Sequence, residues 1–221
     1  MIKRHHFLRH GFKIVPALLL LINAPCLYAD HDTSLRTDLN FHYKINDKFR
    51  SVSYLFLQAD KNVSNFDYFE WGTALQYQTD IPWLSFLLYY QQGFSKVEPD
   101  NWLLEQKPSI SMNTSAVFAY FKISNQIRYE YRFTPDWSDY RIKNYLEISC
   151  PNLSLQPLIG WEMFYENRDK AIMLNRIKFG VIKNVNENVS LGAYYRIDYS
   201  NINHEWEFTR QLIGLQVTLK Y

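Results

Sequence analysis

The sequence predicts an all-β protein, an antiparallel up-and-down transmembrane β-barrel with twelve strands preferred and ten as the alternative. Three observations carry this expectation. The last eleven residues, QLIGLQVTLKY, alternate with period 2: Ile213, Leu215, Val217, Leu219 and Tyr221 fall on one side, Leu212, Gly214, Gln216, Thr218 and Lys220 on the other. Tyr and Phe are abundant, 17 and 15 in 221 residues, as strands and interfacial aromatic girdles require. No internal run of about 18 apolar residues exists, so no helix is long enough to span a bilayer. The mean hydropathy of -0.32 is compatible with a barrel, because lumen and lipid faces alternate along each strand and cancel. A soluble β-sandwich is the competing fold.

The first residues have the form of an export signal. Lys3, Arg4, Arg9 and Lys13 precede an apolar run from Ile14 to Ile22, and Leu27-Tyr28-Ala29 is an acceptable cleavage site. The expected organisation is therefore a cleaved signal peptide over 1–29 and a single barrel domain over 30–221. After cleavage Cys150 is the lone cysteine, which excludes an intrachain disulfide. The net charge of +2 gives no argument for nucleic acid.

From Ser34 to Lys44, Leu35, Thr37, Leu39, Phe41 and Tyr43 oppose Arg36, Asp38, Asn40, His42 and Lys44. Asn46-Asp47 turns the chain into a second strand, Phe49 to Ala59, and Lys61 to Asn65 is a loop. In the third strand Phe69, Trp71, Thr73, Leu75 and Tyr77 face out, against Glu70, Gly72, Ala74, Gln76 and Gln78. Thr79 to Pro82 is a turn, Leu84 to Phe94 the most apolar strand, and Lys96 to Asn101 a loop. Between Trp102 and Phe121, Glu105, Lys107, Ser109 and Ser111 share a face, and Asn113-Thr114-Ser115 has turn chemistry. Gln126 to Phe133 sets Ile127, Tyr129, Tyr131 and Phe133 against Arg128, Glu130 and Arg132. The strands Tyr140 to Ser149, Leu155 to Tyr165, Asn175 to Lys183 and Val189 to Tyr199 follow the same pattern, and Ser200 to Thr209 reads as a longer polar loop.

Parity decides the strand number. Bacterial single-chain barrels normally have even counts with both termini at one rim. A hairpin at Asn113-Thr114-Ser115 gives twelve. One long strand there gives eleven, and the first strand must then leave the ladder, giving ten.

A charged residue facing lipid at mid-bilayer costs about 2–4 kcal/mol, so the charged face must be the lumen. The residues expected there are Arg128, Glu130, Arg132, Arg141, Lys143, Glu162, Arg176, Lys178, Arg196 and Asp198. Two consequences compete. Cross-strand ion pairs stiffen a structural barrel, or the basic excess favours passage of small anionic or sugar solutes. The alternative of a rim-located hydrolase or acyltransferase has little support. His31, His42 and His204 lie in no nucleophile motif, and Glu166 and Asp169 look like solvated loop carboxylates. No zinc-like ligand spacing and no phosphate-binding glycine loop occur, so no metal, cofactor or catalytic residue is assigned.

Arg128-Tyr129-Glu130-Tyr131-Arg132, Asp139-Tyr140-Arg141-Ile142-Lys143, Asn175-Arg176-Ile177-Lys178-Phe179-Gly180, Leu191-Gly192-Ala193-Tyr194-Tyr195 and Asn203-His204 together resemble a bacterial outer-membrane barrel family catalogued only as a domain of unknown function. The resemblance is tightest from Gln126 onward and implies an outer-membrane barrel without an established activity. The implied setting is the bacterial outer membrane. Lipid and lipopolysaccharide then lie against the apolar face, and the assembly machinery reads the C-terminal strand by strand addition. The chain is expected to be a monomer.

Overall fold

The computed structural model describes residues 33–60, 65–98 and 101–221. The signal peptide expected over 1–29 lies outside them. Eleven strands are present among the described residues: β1 (Thr33–Lys44), β2 (Phe49–Asp60), β3 (Asn65–Gln78), β4 (Leu84–Glu98), β5 (Asn101–Phe118), β6 (Phe121–Phe133), β7 (Ser138–Ser149), β8 (Gln156–Glu166), β9 (Ala171–Asn184), β10 (Val189–Ile202) and β11 (Glu205–Lys220). Each pairs with its sequence neighbour in antiparallel fashion, and β1 closes the ring against β11. Closure gives every strand two partners, which an all-β wall needs wherever water is absent.

Neither twelve nor ten strands is correct. Asn113-Thr114-Ser115 is no hairpin but the interior of β5, paired to Leu84 and Ser85 on one side and to Ser124, Asn125 and Gln126 on the other. Asn113 faces inward and accepts a hydrogen bond from the Gln126 amide at 2.9 Å, so its polarity serves the lumen rather than a turn. The turn comes later, at Ala119-Tyr120, with Ala119 at φ 51°. Nor does β1 leave the ladder. It pairs with β2 and, in parallel, with β11, from Thr33↔Gln211 to His42↔Lys220. The even-count rule fails because it presumes that the closing pair is antiparallel.

Parallel closure puts the two ends of the ring on opposite rims. Tyr221 lies at one, where its backbone N–H donates to the His42 carbonyl at 2.8 Å. This C-terminal rim also carries the turns after β1, β3, β5, β7 and β9. Lys48 bonds Asp80 there at 2.8 Å, and this bond holds the Asp80 carboxyl below its ordinary range. Thr33 lies at the opposite rim, beside Gln211. The long loop expected over Ser200 to Thr209 is also corrected. β10 and β11 continue through it, and only Asn203-His204 turns, both at positive φ, 53° and 70°. Two such residues suit the twist of a tight hairpin.

The outer surface is apolar. Leu75, Leu88 and Ile110 align across β3, β4 and β5 and are among its most exposed residues. Aromatic side chains band the rims. Phe66, Phe69, Phe94 and Trp102 pack together near the opposite rim, and exposed Tyr43, Trp83, Tyr120 and Tyr221 mark the C-terminal rim. The interior inverts this pattern: Lys107, Glu130, Gln91, Asp198 and Arg196 are among the most buried side chains.

Candidate functional site

The lumen wall is the candidate site, and the alternation along each strand builds it. Glu130 stands directly opposite Arg141, and Arg128 opposite Lys143, between β6 and β7. Between β9 and β10, Arg176 faces Asp198 and Lys178 faces Arg196. Strand register thus alternates favourable and like-charge neighbours.

The side chains resolve this into two ion-pair chains. In the first, Glu70 on β3 pairs with Lys107 on β5, and Lys107 lies 3.5 Å from Glu105. Glu105 holds Arg132 at 2.5 Å, and Arg132 reaches Glu166 at 2.6 Å. Glu166 lies 3.5 Å from Arg141, which holds Glu130 at 2.5 Å. Arg128 ends the chain, 3.6 Å from Glu130. In the second chain Lys143 and Arg176 share Glu162, at 2.5 and 3.1 Å. Arg176 lies 3.4 Å from Asp198, which accepts from Arg196 at 2.7 and 2.9 Å. Lys178 stands apart, 3.5 Å from Glu147. All ten residues expected in the lumen are on this wall.

Sequence reasoning missed part of the site. The charged track continues beyond those ten residues: Arg36 and Asp38 on β1, Glu70 on β3, and Glu105 and Lys107 on β5 extend it around the ring. Period-2 alternation already put all five on inward faces. Glu166 is not a solvated loop carboxylate but bridges two arginines at the end of β8.

Aromatic rings pave the wall between the charges. Phe164, only 2% exposed, has Arg141, Lys143 and Arg176 within 5.3 Å of its ring centre. Arg36 covers Phe56 at 3.6 Å and Arg128 covers Tyr89 at 4.0 Å. Such contacts add about 0.5–2 kcal/mol where the cation is partly desolvated. Three tyrosines lie flat because a glycine sits beneath each. A Cβ on Gly72 would come within 2.8 Å of Tyr54, one on Gly160 within 2.6 Å of Tyr145, and one on Gly214 would overlap the Tyr194 ring. Each hydroxyl donates to a carboxylate: Tyr54 to Glu70 and Tyr194 to Asp38 at 2.6 Å, Tyr145 to Glu147 at 2.5 Å. The Tyr194–Asp38 bond spans β11 and ties β10 to β1 across the parallel seam.

These walls enclose a cavity of about 710 Å³. Eleven basic and six acidic side chains line it, and four further carboxylates, Asp60, Glu147, Glu166 and Asp198, stand behind the lining as ion-pair partners of its bases. Among the described residues no cluster of His, Cys, Asp and Glu could hold a metal ion.

The fold and site define a closed β-barrel with an apolar exterior and a charged interior. The chain belongs to the family described as Protein of unknown function (DUF2490), whose model matches residues 35–209. No curated protein matches. Among solved structures, an anion-selective porin from Comamonas acidovorans is similar at 12% identity and a TM-score of 0.39. The alignment covers 77% of this chain and 55% of the porin, so the chain spans little more than half of the porin's length.

Proposed function

We propose that this protein is a monomeric barrel of the bacterial outer membrane whose lumen is a narrow pathway favouring small anionic solutes, acidic sugars among them. The observation that carries this is that basic side chains outnumber acidic ones, eleven to six, on the surface lining the 710 Å³ cavity, with the other partner carboxylates set behind them. A positive field inside low-dielectric walls concentrates anions and repels cations. The apolar outer face and the two aromatic bands support the membrane setting, with lipid and lipopolysaccharide against that face. The C-terminal rim then faces the periplasm, and β11 meets the assembly machinery. No catalytic residue is proposed.

A second reading, a structural barrel stiffened by its ion pairs, is favoured by the unbroken chain from Glu70 to Arg128. Solute uptake separates the two. Proteoliposomes carrying the folded barrel should admit small organic anions faster than cations of equal size. Impermeability to both, or a preference for cations, refutes the pathway.

A further inference from the structure

The large cavity is not the whole interior. It extends from Asp67, Lys96 and Arg210, near the opposite rim, down to Gln126 and Tyr145. A second cavity of about 460 Å³ lies toward the C-terminal rim, between Trp83, Ser85, Ser115 and Lys122. Gln126 and Tyr145 line both, so the two meet at these neighbours on β6 and β7.

Arg128 braces that junction. Its Nη2 donates to Gln126 Oε1 at 2.9 Å, its guanidinium lies on the Tyr89 ring, and Gln126 in turn donates to Asn113. This joins β4, β5 and β6 across the place where the cavities touch. The same arginine has the poorest counter-charge of its neighbours. Arg132, Arg141 and Arg196 each have a carboxylate oxygen within 2.7 Å, whereas Arg128 has Glu130 at 3.6 Å and faces Lys143 across the ladder. Only 8% of Arg128 is exposed, and its Nε has no hydrogen-bond partner. Directly opposite on β5, the buried Ser111 hydroxyl also has none. Buried donors in this state hold unspent hydrogen-bonding capacity.

We propose that Arg128, held by Gln126 and Tyr89, is the selecting constriction of the lumen, where a passing oxyanion (carboxylate, phosphate or sulfate) exchanges for Gln126 as the guanidinium's partner. This rests on the pathway reading above. A planar fork of donors fits a two-oxygen anion, and a neighbouring Lys143 raises the local potential.

The experiment is single-channel recording in KCl, with and without inorganic phosphate, on wild type, Arg128→Ala, Arg128→Lys and Lys96→Ala. Heat-modifiable gel migration confirms that each variant has folded. Arg128→Ala should raise the chloride conductance about twofold or more and abolish inhibition by phosphate, since it removes both the obstruction and the donor. Arg128→Lys should keep anion preference while weakening phosphate inhibition. Lys96 lines the large cavity near the opposite rim, away from the junction, so Lys96→Ala should lower selectivity without enlarging conductance. A silent wild type with a conducting Arg128→Ala also supports the constriction. If wild type conducts and Arg128→Ala matches it in conductance and phosphate response, the inference is overturned and the pathway stands. Silence of both folded proteins overturns both.

Discussion

Replacing Leu88 by Arg tests where the barrel resides. Leu88 is 65% exposed, points outward on β4 between Trp83 and Phe94 of the two aromatic bands, and is flanked by Leu75 and Ile110 at 46% and 53%. Neither neighbour can offer a counter-charge. Outward polar groups lie beyond it toward the opposite rim, where Tyr90, Gln92 and Gln106 hydrogen-bond one another. In water, a substitution at so exposed a site changes stability by no more than about 0.5 kcal/mol. In a bilayer, arginine at the midplane costs about 2–4 kcal/mol. Leu88 lies close enough to those polar groups for the guanidinium to lean toward the interface, so the lower half of that range applies, about 2–3 kcal/mol. That corresponds to a shift of roughly 30- to 140-fold in the folding equilibrium. The assay is reversible guanidine unfolding in phospholipid vesicles, comparing Leu88→Arg with wild type at equal lipid. A change within about 0.5 kcal/mol refutes the lipid-facing assignment.

Further outcomes follow from particular contacts. Glu130→Gln removes the carboxylate that Arg141 and Arg128 share and should destabilise the barrel by up to about 3–5 kcal/mol, less any relief by water. A double-mutant cycle with Arg141→Gln should show coupling, and additivity of the two changes contradicts the pair. Gly214→Val displaces the Tyr194 ring and breaks its bond to Asp38, for a loss of about 1–3 kcal/mol in vesicle unfolding. Tyr194→Phe, which keeps the ring, should lose about 1 kcal/mol, and equal losses for both variants reject the packing account. In a Cys150→Ser background, an impermeant maleimide on intact cells should label Thr33→Cys and His204→Cys but not Asn186→Cys. Labelling of position 33 together with 186 instead excludes the parallel seam.

Facing was legible in the sequence and strand number was not. Period-2 alternation sent Arg128, Glu130, Arg141 and Glu162 inward because polarity on a spanning strand depends only on which side meets lipid. Turn chemistry misled, because a lumen face uses the same small polar residues as a turn. Asn113 and Ser115 sit in mid-strand, and Ala119-Tyr120, with no turn signature, makes the bend. Ser200 to Thr209 failed for the related reason that polar residues also form strands extending past the aromatic band. The extent of the ion-pair chains depends on contacts such as Glu105–Arg132, 27 residues apart and set by barrel register. Local pattern carries no information on such contacts. The role of the glycines was equally hidden, since a glycine under a tyrosine is recognisable only once Tyr194 and Gly214 are paired.

The central claim is that the lumen passes anions in preference to cations. Reversal potential is its most direct measure, taken on the wild-type barrel in a planar bilayer with concentrated KCl on one side and dilute KCl on the other. A potential of the sign set by chloride agrees with the predominance of basic side chains on the lining of the large cavity. A potential of the sign set by potassium, or no current from a folded and inserted barrel, contradicts it.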